Sequence, residues 1–336
     1  MKVWREQDVR TAALTNRRIA VLGFGSQGRA QALNLRDSGC DVIVGLRPGS
    51  PSRTTAEQAG LTVCAVADAI RRADVVLMLI PDERQPDVYA QDIAPLGRRG
   101  LYLGFAHGFA IHFRKLVPTP DTNVFLVAPK GIGPMVRQQF EQGGGVPALI
   151  AVHQDPAGDT RDVALACACG LGCGRAGIIE TTFRDEAETD LFGEQAVLCG
   201  GLTELIRAGF ETLVDAGYAP ELAYFECLHE VKLIADLIHA RGIDGMRAAI
   251  SRTAAYGDVS RGQRVIGQPT RAAMRELLQE IQSGAFADEW MAEHRAGQPR
   301  LAAAAQQAQA HPIEEVGRCL RALMPWLQPG RAGAAQ

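Results

Sequence analysis

Long hydrophobic runs are missing from this sequence. None reaches the roughly 18 apolar residues that a membrane-spanning helix needs, so we expect no membrane protein. The amino-terminal stretch MKVWREQDVRTAALTNRR has no apolar core, so we expect no signal peptide. The formal net charge of -3 is small, which argues against a general nucleic-acid binder.

The cysteines and lysines are also informative through what is absent. The eight cysteines suggest a reduced, cytoplasmic protein, and they form no CxxC pairs at zinc-finger spacing. The tightest cluster, Cys167, Cys169 and Cys173, has no histidine nearby, so we interpret it as small packing residues. Only four of the 35 basic residues are lysines, which makes the position of each lysine more noticeable.

The first half of the chain alternates short apolar runs with helical patterns over residues 18–183. This alternation predicts an α/β, Rossmann-like domain over residues 1–183, with a parallel sheet covered on both faces. The expected strands are RIAVLGFG, DVIVGLR, ADVVLMLIP, GLYLGFAHG and NVFLVAPKG, with PALIAVH and AGIIETTF as two further candidates. Helical patterns at 27–38 and 66–72 lie between them.

The first turn of this domain reads Gly23-Phe-Gly25-Ser-Gln-Gly28, a G-x-G-x-x-G pattern. The pattern alone is a weak signal, but here it follows an apolar strand and precedes a helix. Glycines at these positions let the backbone approach a pyrophosphate, which the helix N-terminus attracts. We therefore expect a dinucleotide cofactor.

The end of the second strand distinguishes the two nicotinamide cofactors. NAD folds usually place an acid there, against the ribose 2′-hydroxyl. This strand ends VGLRPGSPSR and offers Arg47, Ser50, Ser52 and Arg53 instead. Because a cation and hydroxyls suit a 2′-phosphate, the loop favours NADPH over NADH, although Arg53 could equally be a solvated loop residue.

Two other loops contain candidate functional residues. His107 in FAHGF and Lys130 in APKGIG are expected at the carboxyl ends of strands, together with the PDERQ loop at 81–85. Parallel sheets bind their ligands at this edge. We therefore favour functional over purely structural roles for His107 and Lys130.

Helical runs replace the alternation from about residue 184, which predicts a second, all-α domain over 184–327 and a frayed tail at 328–336. The expected helices cover 187–216, 220–241, 243–255, 270–282 and 312–326, with Gly217 and Gly242 at helix ends.

Two i,i+4 acid pairs, Asp190 with Glu194 and Glu226 with Glu230, lie among large apolar residues. The ordinary interpretation is a pair of solvated stripes. Few cations stand nearby, so we prefer a shared site for Mg²⁺ or Mn²⁺.

The motifs together resemble the ketol-acid reductoisomerase family in its short form. The resemblance runs from about residue 2 to 327 and is carried by GFGSQG, DSGCDVIVGLRPGS, PDERQ, FAHGF, ETDLFGEQAVLCGG, YFECLHEVKLI and ISRTAAYGD. It implies an NADPH- and Mg²⁺-dependent enzyme of branched-chain amino-acid synthesis acting on 2-acetolactate and 2-aceto-2-hydroxybutyrate. It also implies a homodimer, or a higher homo-oligomer, with intertwined helical domains and shared active sites.

The resemblance also implies residue roles. Asp190 would bridge two Mg²⁺ ions, with Glu194 on one and Glu226 and Glu230 on the other. His107, Lys130 and Glu230 are the expected catalytic residues, and Ser251 would contact substrate. The implied cofactor-binding residues are Phe24, Gly25, Ser26, Gln27, Arg47, Ser50, Ser52, Asp82, Glu83, Arg84, Gln85 and Gly133.

The chain departs from the family pattern while keeping every metal position. The departures are Arg29, Pro51, Ile132, Pro134, Arg252 and Ala255. They leave open a paralogue that acts on a related acetohydroxy acid in specialised metabolism. A simple β-hydroxyacid dehydrogenase and a nucleotide-sensing module are two rival hypotheses, but neither explains the four acids.

Overall fold

The computed structural model describes residues 2–325 and divides into two compact units, Met1–Thr189 and Asp190–Gln336. The expected tail at 328–336 and the last residue of the expected helix 312–326 lie outside the described residues. No helix in the described part of the chain is long and apolar enough to cross a bilayer.

A nine-stranded sheet forms the centre of the first unit. Its strands are β1 (Val3–Trp4), β2 (Arg18–Leu22), β3 (Asp41–Leu46), β4 (Thr62–Ala65), β5 (Val75–Met78), β6 (Tyr102–Phe105), β7 (Asn123–Pro129), β8 (Ala148–Gln154) and β9 (Ile178–Glu180). The order in space is β1-β9-β8-β7-β6-β5-β2-β3-β4. The expected strands and both further candidates are present.

Helices cover the sheet and connect its strands. They are α1 (Ser26–Asp37), α2 (Ser52–Gln58), α3 (Val66–Arg72), α4 (Gln85–Val88), α5 (Phe109–His112), α6 (Gly133–Glu141), α7 (Thr160–Gly170), α8 (Cys173–Ala176) and α9 (Phe183–Gly193). Buried aliphatic side chains form one core cluster on each side of the sheet. Cys167, Cys169 and Cys173 are buried in one of these clusters, as the packing interpretation requires.

The expected α/β, Rossmann-like domain is confirmed, although its sheet is mixed and not parallel throughout. Six neighbouring strands pair in parallel, in the spatial order β7-β6-β5-β2-β3-β4. Strand β8 runs antiparallel to β7, and β1 runs antiparallel to β9. An apolar run indicates burial and not direction, so the pattern could not distinguish the two. Strand β4 was also missed, because this edge strand is only half-buried.

Asp159 joins the start of α7 to two neighbouring segments. Its carboxylate accepts a hydrogen bond from the Tyr102 hydroxyl and one from Arg17 at 2.8 Å. Burial favours the protonated acid, but the two hydrogen bonds and the Arg17 charge outweigh it and lower the pKa of Asp159. Burial and the same carboxylate raise the pKa of Tyr102 to about 12.

The second unit is helical throughout its described part. After a π-helical turn at Glu194–Leu198 come α10 (Gly200–Asp215), α11 (Pro220–Tyr224), a second π-helical turn at Phe225–His229, α12 (Glu230–Ala249), α13 (Arg252–Val265), α14 (Gln268–Ser283), α15 (Ala285–Arg295), α16 (Pro299–Ala310) and α17 (Pro312–Ala322). Gly217 and Gly242 have positive φ and end helical segments as expected. The helix expected at 243–255 is wrong, because the chain is extended at Ile250 and Ser251.

A small core holds part of the second unit together. Phe210 and Tyr224 are buried against residues of α17, including Ile313 and Leu320. Most of the large apolar side chains exposed in the described chain belong to this unit, Leu198 and Tyr256 among them. A domain that exposes this much apolar surface is unusual for a monomer.

Candidate active site

The glycine turn lies where the strand order of the sheet reverses. The chain leaves β2 for β3 on one side and returns to β5 on the other, which opens a crevice at the carboxyl ends of these strands. Gly23 has a φ of 96°, and a Cβ there would lie 2.8 Å from the Leu79 carbonyl oxygen. A Cβ on Gly28 would collide with the Gly23 carbonyl, whereas Gly25 faces open space. The turn therefore leaves room for a ligand beside the N-terminus of α1.

A cavity of about 710 Å³ fills this crevice, and we call it the nucleotide cavity. This volume is within the usual range for small-molecule and cofactor sites. The walls contain ten of the residues expected to bind the cofactor, namely Phe24, Gly25, Ser26, Gln27, Arg47, Ser50, Asp82, Glu83, Arg84 and Gln85. His107 also lines the cavity. The structure thus brings the glycine turn, the second-strand loop and the 82–85 loop together.

Ser52 and Gly133 line a second cavity of about 750 Å³, which we call the flanking cavity. The two cavities share Phe24, Gly25 and Ser26. The Gly133 N–H donates to the Ser26 hydroxyl at 3.2 Å, and a Cβ on Gly133 would collide with the Ser26 backbone. Gly133 is therefore required for α6 to approach the glycine turn.

His107 is held by the loop that follows β5. Its Nδ1 lies 2.9 Å from Oδ2 of Asp82, and its side chain is 19% exposed. Gln85 donates to the same carboxyl group at 2.9 Å and to the Ile80 carbonyl at 3.1 Å. The Asp82 carboxylate thus orients an imidazole on the cavity wall, a role that the sequence did not predict for it.

Lys130 forms an ion pair with a residue that the sequence analysis missed. Its Nζ lies 2.9 Å from Oε1 of Glu186, whose side chain is only 1% exposed. Oε2 of the same carboxylate accepts the Gly108 N–H at 2.8 Å. Glu186 precedes Asp190 by four residues on α9, so the helical spacing that selected Asp190 and Glu194 could also have found it.

This carboxylate ties together the loops that follow β6 and β7. Gly108 also packs directly on α9, since a Cβ there would collide with the Phe183 carbonyl. His107 and Lys130, the two expected catalytic residues of the first unit, are therefore fixed relative to α9 by one buried acid. This arrangement can hold a proton-transferring group in a fixed position.

The four candidate metal ligands lie at irregular parts of their helices. Glu194 begins the first π-helical turn, Glu226 lies within the second, and Glu230 begins α12 directly after it. Asp190 is half-buried and the three glutamates are exposed. Single π-helical turns of this kind often occur at functional sites.

Two glycines explain the first π-helical turn. Cys199 donates its N–H to the Glu194 carbonyl at 2.9 Å, five residues earlier. A Cβ on Gly200 or Gly201 would collide with the carbonyl of Gln195 or Ala196. The pair Gly200-Gly201 therefore permits a wide turn that bulkier residues would resist.

Within residues 2–325 of one chain, no group of three or more His, Cys, Asp or Glu side chains is placed to hold a metal ion. A single chain thus does not assemble the four acids into one centre. Lys232, the only lysine in the sequence between 187 and 241, pairs with Asp236 at 2.5 Å. Ser251 is the N-cap of α13, where its hydroxyl oxygen accepts the Ala254 N–H at 3.1 Å.

Two family models cover most of the chain. Residues 13–177 match the acetohydroxy acid isomeroreductase NADPH-binding domain, and residues 183–326 match the ketol-acid reductoisomerase C-terminal domain. The chain belongs to the ketol-acid reductoisomerase family. It is therefore an oxidoreductase with a nicotinamide-nucleotide-binding domain, which decides against the dehydrogenase and sensor hypotheses.

Solved structures agree with this assignment. An NADH-preferring ketol-acid reductoisomerase from an uncultured archean is 45% identical, with a TM-score of 0.94 over 96% of this chain and 99% of that chain. A putative oxidoreductase from Jannaschia sp. is 17% identical, with a TM-score of 0.59 over 79% and 97%. A semialdehyde dehydrogenase NAD-binding protein from Cupriavidus necator is 21% identical, with a TM-score of 0.59 over 80% and 99%. The last two share the fold alone.

Proposed function

We propose that this enzyme converts 2-acetolactate and 2-aceto-2-hydroxybutyrate to 2,3-dihydroxy-3-methyl acids, with NADPH and two Mg²⁺ ions, in branched-chain amino-acid synthesis. The observation that carries the proposal is that this family member keeps Asp190, Glu194, Glu226 and Glu230. Carboxylate oxygens are the donors that Mg²⁺ prefers. Two divalent cations would balance the four negative charges.

The residues of the nucleotide cavity fit NADPH. Gly25 leaves open space at the start of α1, and the second-strand loop presents Arg47 and Ser50 without an acid. Gln85 carries a buried Oε1 with no hydrogen-bond partner among the described residues, which a bound donor would satisfy. NADPH would supply the hydride that reduces the rearranged ketone.

The four carboxylates would hold Mg²⁺, which polarises a ketone and acidifies a neighbouring alcohol so that an alkyl group can migrate between adjacent carbons. Asp82 keeps the His107 ring in one orientation, and Glu186 keeps the Lys130 ammonium close to the Gly108 backbone. Held in this way, the Lys130 ammonium can donate a hydrogen bond to an oxygen that gains negative charge. Glu230 is the proposed carrier of the alcohol proton.

The experiment that tests the proposal follows NADPH oxidation with 2-acetolactate, with and without Mg²⁺. We expect turnover only when both are present and a dihydroxy acid as product. Oxidation of NADPH by 2-acetolactate in excess chelator would contradict the metal requirement. Faster turnover with NADH than with NADPH, which is the preference named for the 45% identical structure, would contradict the cofactor assignment.

We further propose that the active sites are shared between two chains. Support comes from the apolar side chains that the second unit leaves exposed, such as Leu198 at 65% and Leu222 at 57%. Burying a side chain of this size fully contributes about 1.5–3 kcal/mol. A second copy of the same helices would cover this surface and could bring Asp190 and Glu194 to Glu226, Glu230 and Ser251 of the other chain.

Mixing two inactive variants tests the sharing. Asp190→Ala and Glu226→Ala homodimers should each be inactive. Random reassortment makes about half of the dimers mixed, and a mixed dimer with shared sites has one site with both lesions and one with none. About a quarter of wild-type activity should therefore return. The matched control mixes Asp190→Ala with Glu194→Ala, which lie on one helix and should restore nothing. If the first pair also restores nothing, the acids of each site come from one chain.

A further inference from the structure

The wall of the flanking cavity includes a positively charged side chain, that of Arg29, which has no role in the proposed catalytic cycle. The walls of this cavity include Arg29, Arg36, Ser52, Thr55, Arg137 and Glu141. It opens beside the glycine turn, since Phe24, Gly25 and Ser26 belong to both cavities. A ligand in the nucleotide cavity therefore has the flanking cavity as its immediate neighbour.

Three arginines line the flanking cavity, and two of them are neutralised. Arg36 pairs with Asp37 at 2.7 Å and donates to the Ala59 carbonyl. Arg137 pairs with Asp37 at 2.7 Å and with Glu141 at 2.8 Å. The one acid on the cavity wall, Glu141, is thus already engaged.

Arg29 differs from both. Among residues 2–325 it has no ion pair or side-chain hydrogen bond, and its side chain is exposed at the first turn of α1. The hydroxyl-bearing Ser52 and Thr55 lie on the same wall. An exposed arginine is ordinarily just solvated. In this cavity, however, Arg36 and Arg137 are paired with acids, so the guanidinium of Arg29 supplies a net positive charge beside the Ser52 and Thr55 hydroxyls.

The second-strand loop is divided between the two cavities. Arg47 and Ser50 line the nucleotide cavity, whereas Ser52 lines the flanking cavity. A phosphate bound by this loop would therefore lie where the two cavities meet. A phosphomonoester carries a charge of about -1.5 to -2 at neutral pH, which one arginine only partly balances. A second guanidinium would complete the charge balance.

We infer that Arg29 is a further specificity-determining residue, which grips the 2′-phosphate of an adenosine nucleotide from the flanking-cavity side while Arg47 and Ser50 grip it from the nucleotide-cavity side. The inference rests on the proposed NADPH function and deepens it. Arginine suits this role because its planar fork of donors matches a phosphate. The ligand class is a nucleotide with a phosphate on its adenosine ribose.

Equilibrium binding of NADPH and NADH to the whole protein, by calorimetry with Mg²⁺ present, tests the inference. Loss of a charge-assisted hydrogen bond weakens binding about tenfold to a hundredfold. Arg29→Ala should weaken NADPH by this factor and change NADH by about twofold at most. The minimal pair 2′,5′-ADP and 5′-ADP should show the same contrast. Arg29→Lys, which keeps the charge but lacks the fork, should lose less.

Arg53→Ala is the matched control. Arg53 belongs to the same loop, but it is paired with Glu57 at 3.0 Å and lines neither cavity. The Arg53→Ala substitution should leave the ratio of the NADPH and NADH dissociation constants unchanged. Circular dichroism and the melting temperature show whether each variant is folded, and both substitutions lie on exposed or half-buried helix surface.

Three results would overturn the inference. If Arg29→Ala weakened the binding of NADPH and NADH by the same factor, Arg29 would contact a group that both cofactors share. No loss for either would make it a solvated residue. Wild-type protein that binds NADH as tightly as NADPH would overturn both the cofactor proposal and this inference. If the wild type prefers NADPH and Arg29→Ala keeps that preference, only the role of Arg29 is wrong.

Discussion

The Glu186 carboxylate offers a sharp test of how the first unit positions its functional groups. It is buried, it pairs with Lys130 at 2.9 Å, and it accepts the Gly108 N–H at 2.8 Å. Glu186→Gln keeps the size of the side chain and one acceptor for Gly108, but removes the charge that holds the ammonium. The substitution therefore separates the ion pair from the packing.

The structure sets the magnitude of the effect. A hydrogen bond to a charged group contributes about 1.5–3 kcal/mol. Because Lys130 is 35% exposed, water screens the pair and compensates its ammonium in the variant. We expect a loss of about 1–2 kcal/mol in the free energy of unfolding, which lowers the melting temperature by about 2–8 °C for a unit of this size. Turnover should fall by about tenfold to a hundredfold, because Lys130 loses the ion pair with Glu186 that helps to fix its position.

Glu188→Gln is the matched control. Glu188 is also nearly buried on α9, and it pairs with His112 at 3.2 Å and with Arg184 at 3.1 Å. We expect a similar drop in melting temperature with turnover within about threefold of wild type. Thermal unfolding and steady-state turnover of both variants provide the comparison. If the two variants lose equal activity, or if Glu186→Gln keeps full activity, Glu186 contributes only stability.

Three further predictions address the metal, the cofactor and acid stability. Glu194→Gln should leave the circular dichroism spectrum unchanged and abolish isomerisation, because an amide cannot balance cation charge; calorimetric Mg²⁺ affinity equal to wild type would contradict this. Changing Ser50 and Ser52 together to Asp should shift the cofactor KM ratio toward NADH by repelling a 2′-phosphate, and an unchanged ratio would show that the loop does not read it. The pKa of Asp159 is lowered by folding, so its contribution is present above the unfolded pKa of about 3.9 and is lost as pH falls through the folded pKa. Asp159→Asn should therefore cost about 1 kcal/mol at pH 7 and flatten the loss of stability below about pH 4, measured by urea unfolding across pH.

The sequence was most informative where local chemistry fixes the chain. The glycine turn predicted both a strand end and a helix start, and β2 and α1 have those positions. Apolar runs also located most of the buried strands, because a strand covered on both faces consists mainly of apolar residues. The edge strand β4 was missed because its residues are only exposed or half-buried, and the antiparallel course of β8 was missed because an apolar run does not indicate strand direction.

Residues that act through a tertiary contact were harder to find. Asp82 and Glu186 look like ordinary acids of a loop and a helix until their partners His107 and Lys130 are placed beside them. Arg29 was already a departure from the family pattern, but the role that we infer for it became apparent only when the other two arginines of its cavity proved to be paired. The helix α16 was missed because it is exposed along its whole length and gives a weak apolar pattern, and α15 was missed as well.

The two units present their functional groups in different ways. The sheet of the first unit brings the candidate nucleotide-binding loops together within one chain, so we propose that the cofactor site is complete without a partner. The described part of a single second unit gathers no metal centre. If a second copy completes the centre, metal binds only the assembled form, and by mass action it must also stabilise that form. Mg²⁺ should then strengthen association by the same factor by which association strengthens Mg²⁺ binding, while NADPH affinity changes little. Assembly would in this way confine the alkyl migration to the complete enzyme.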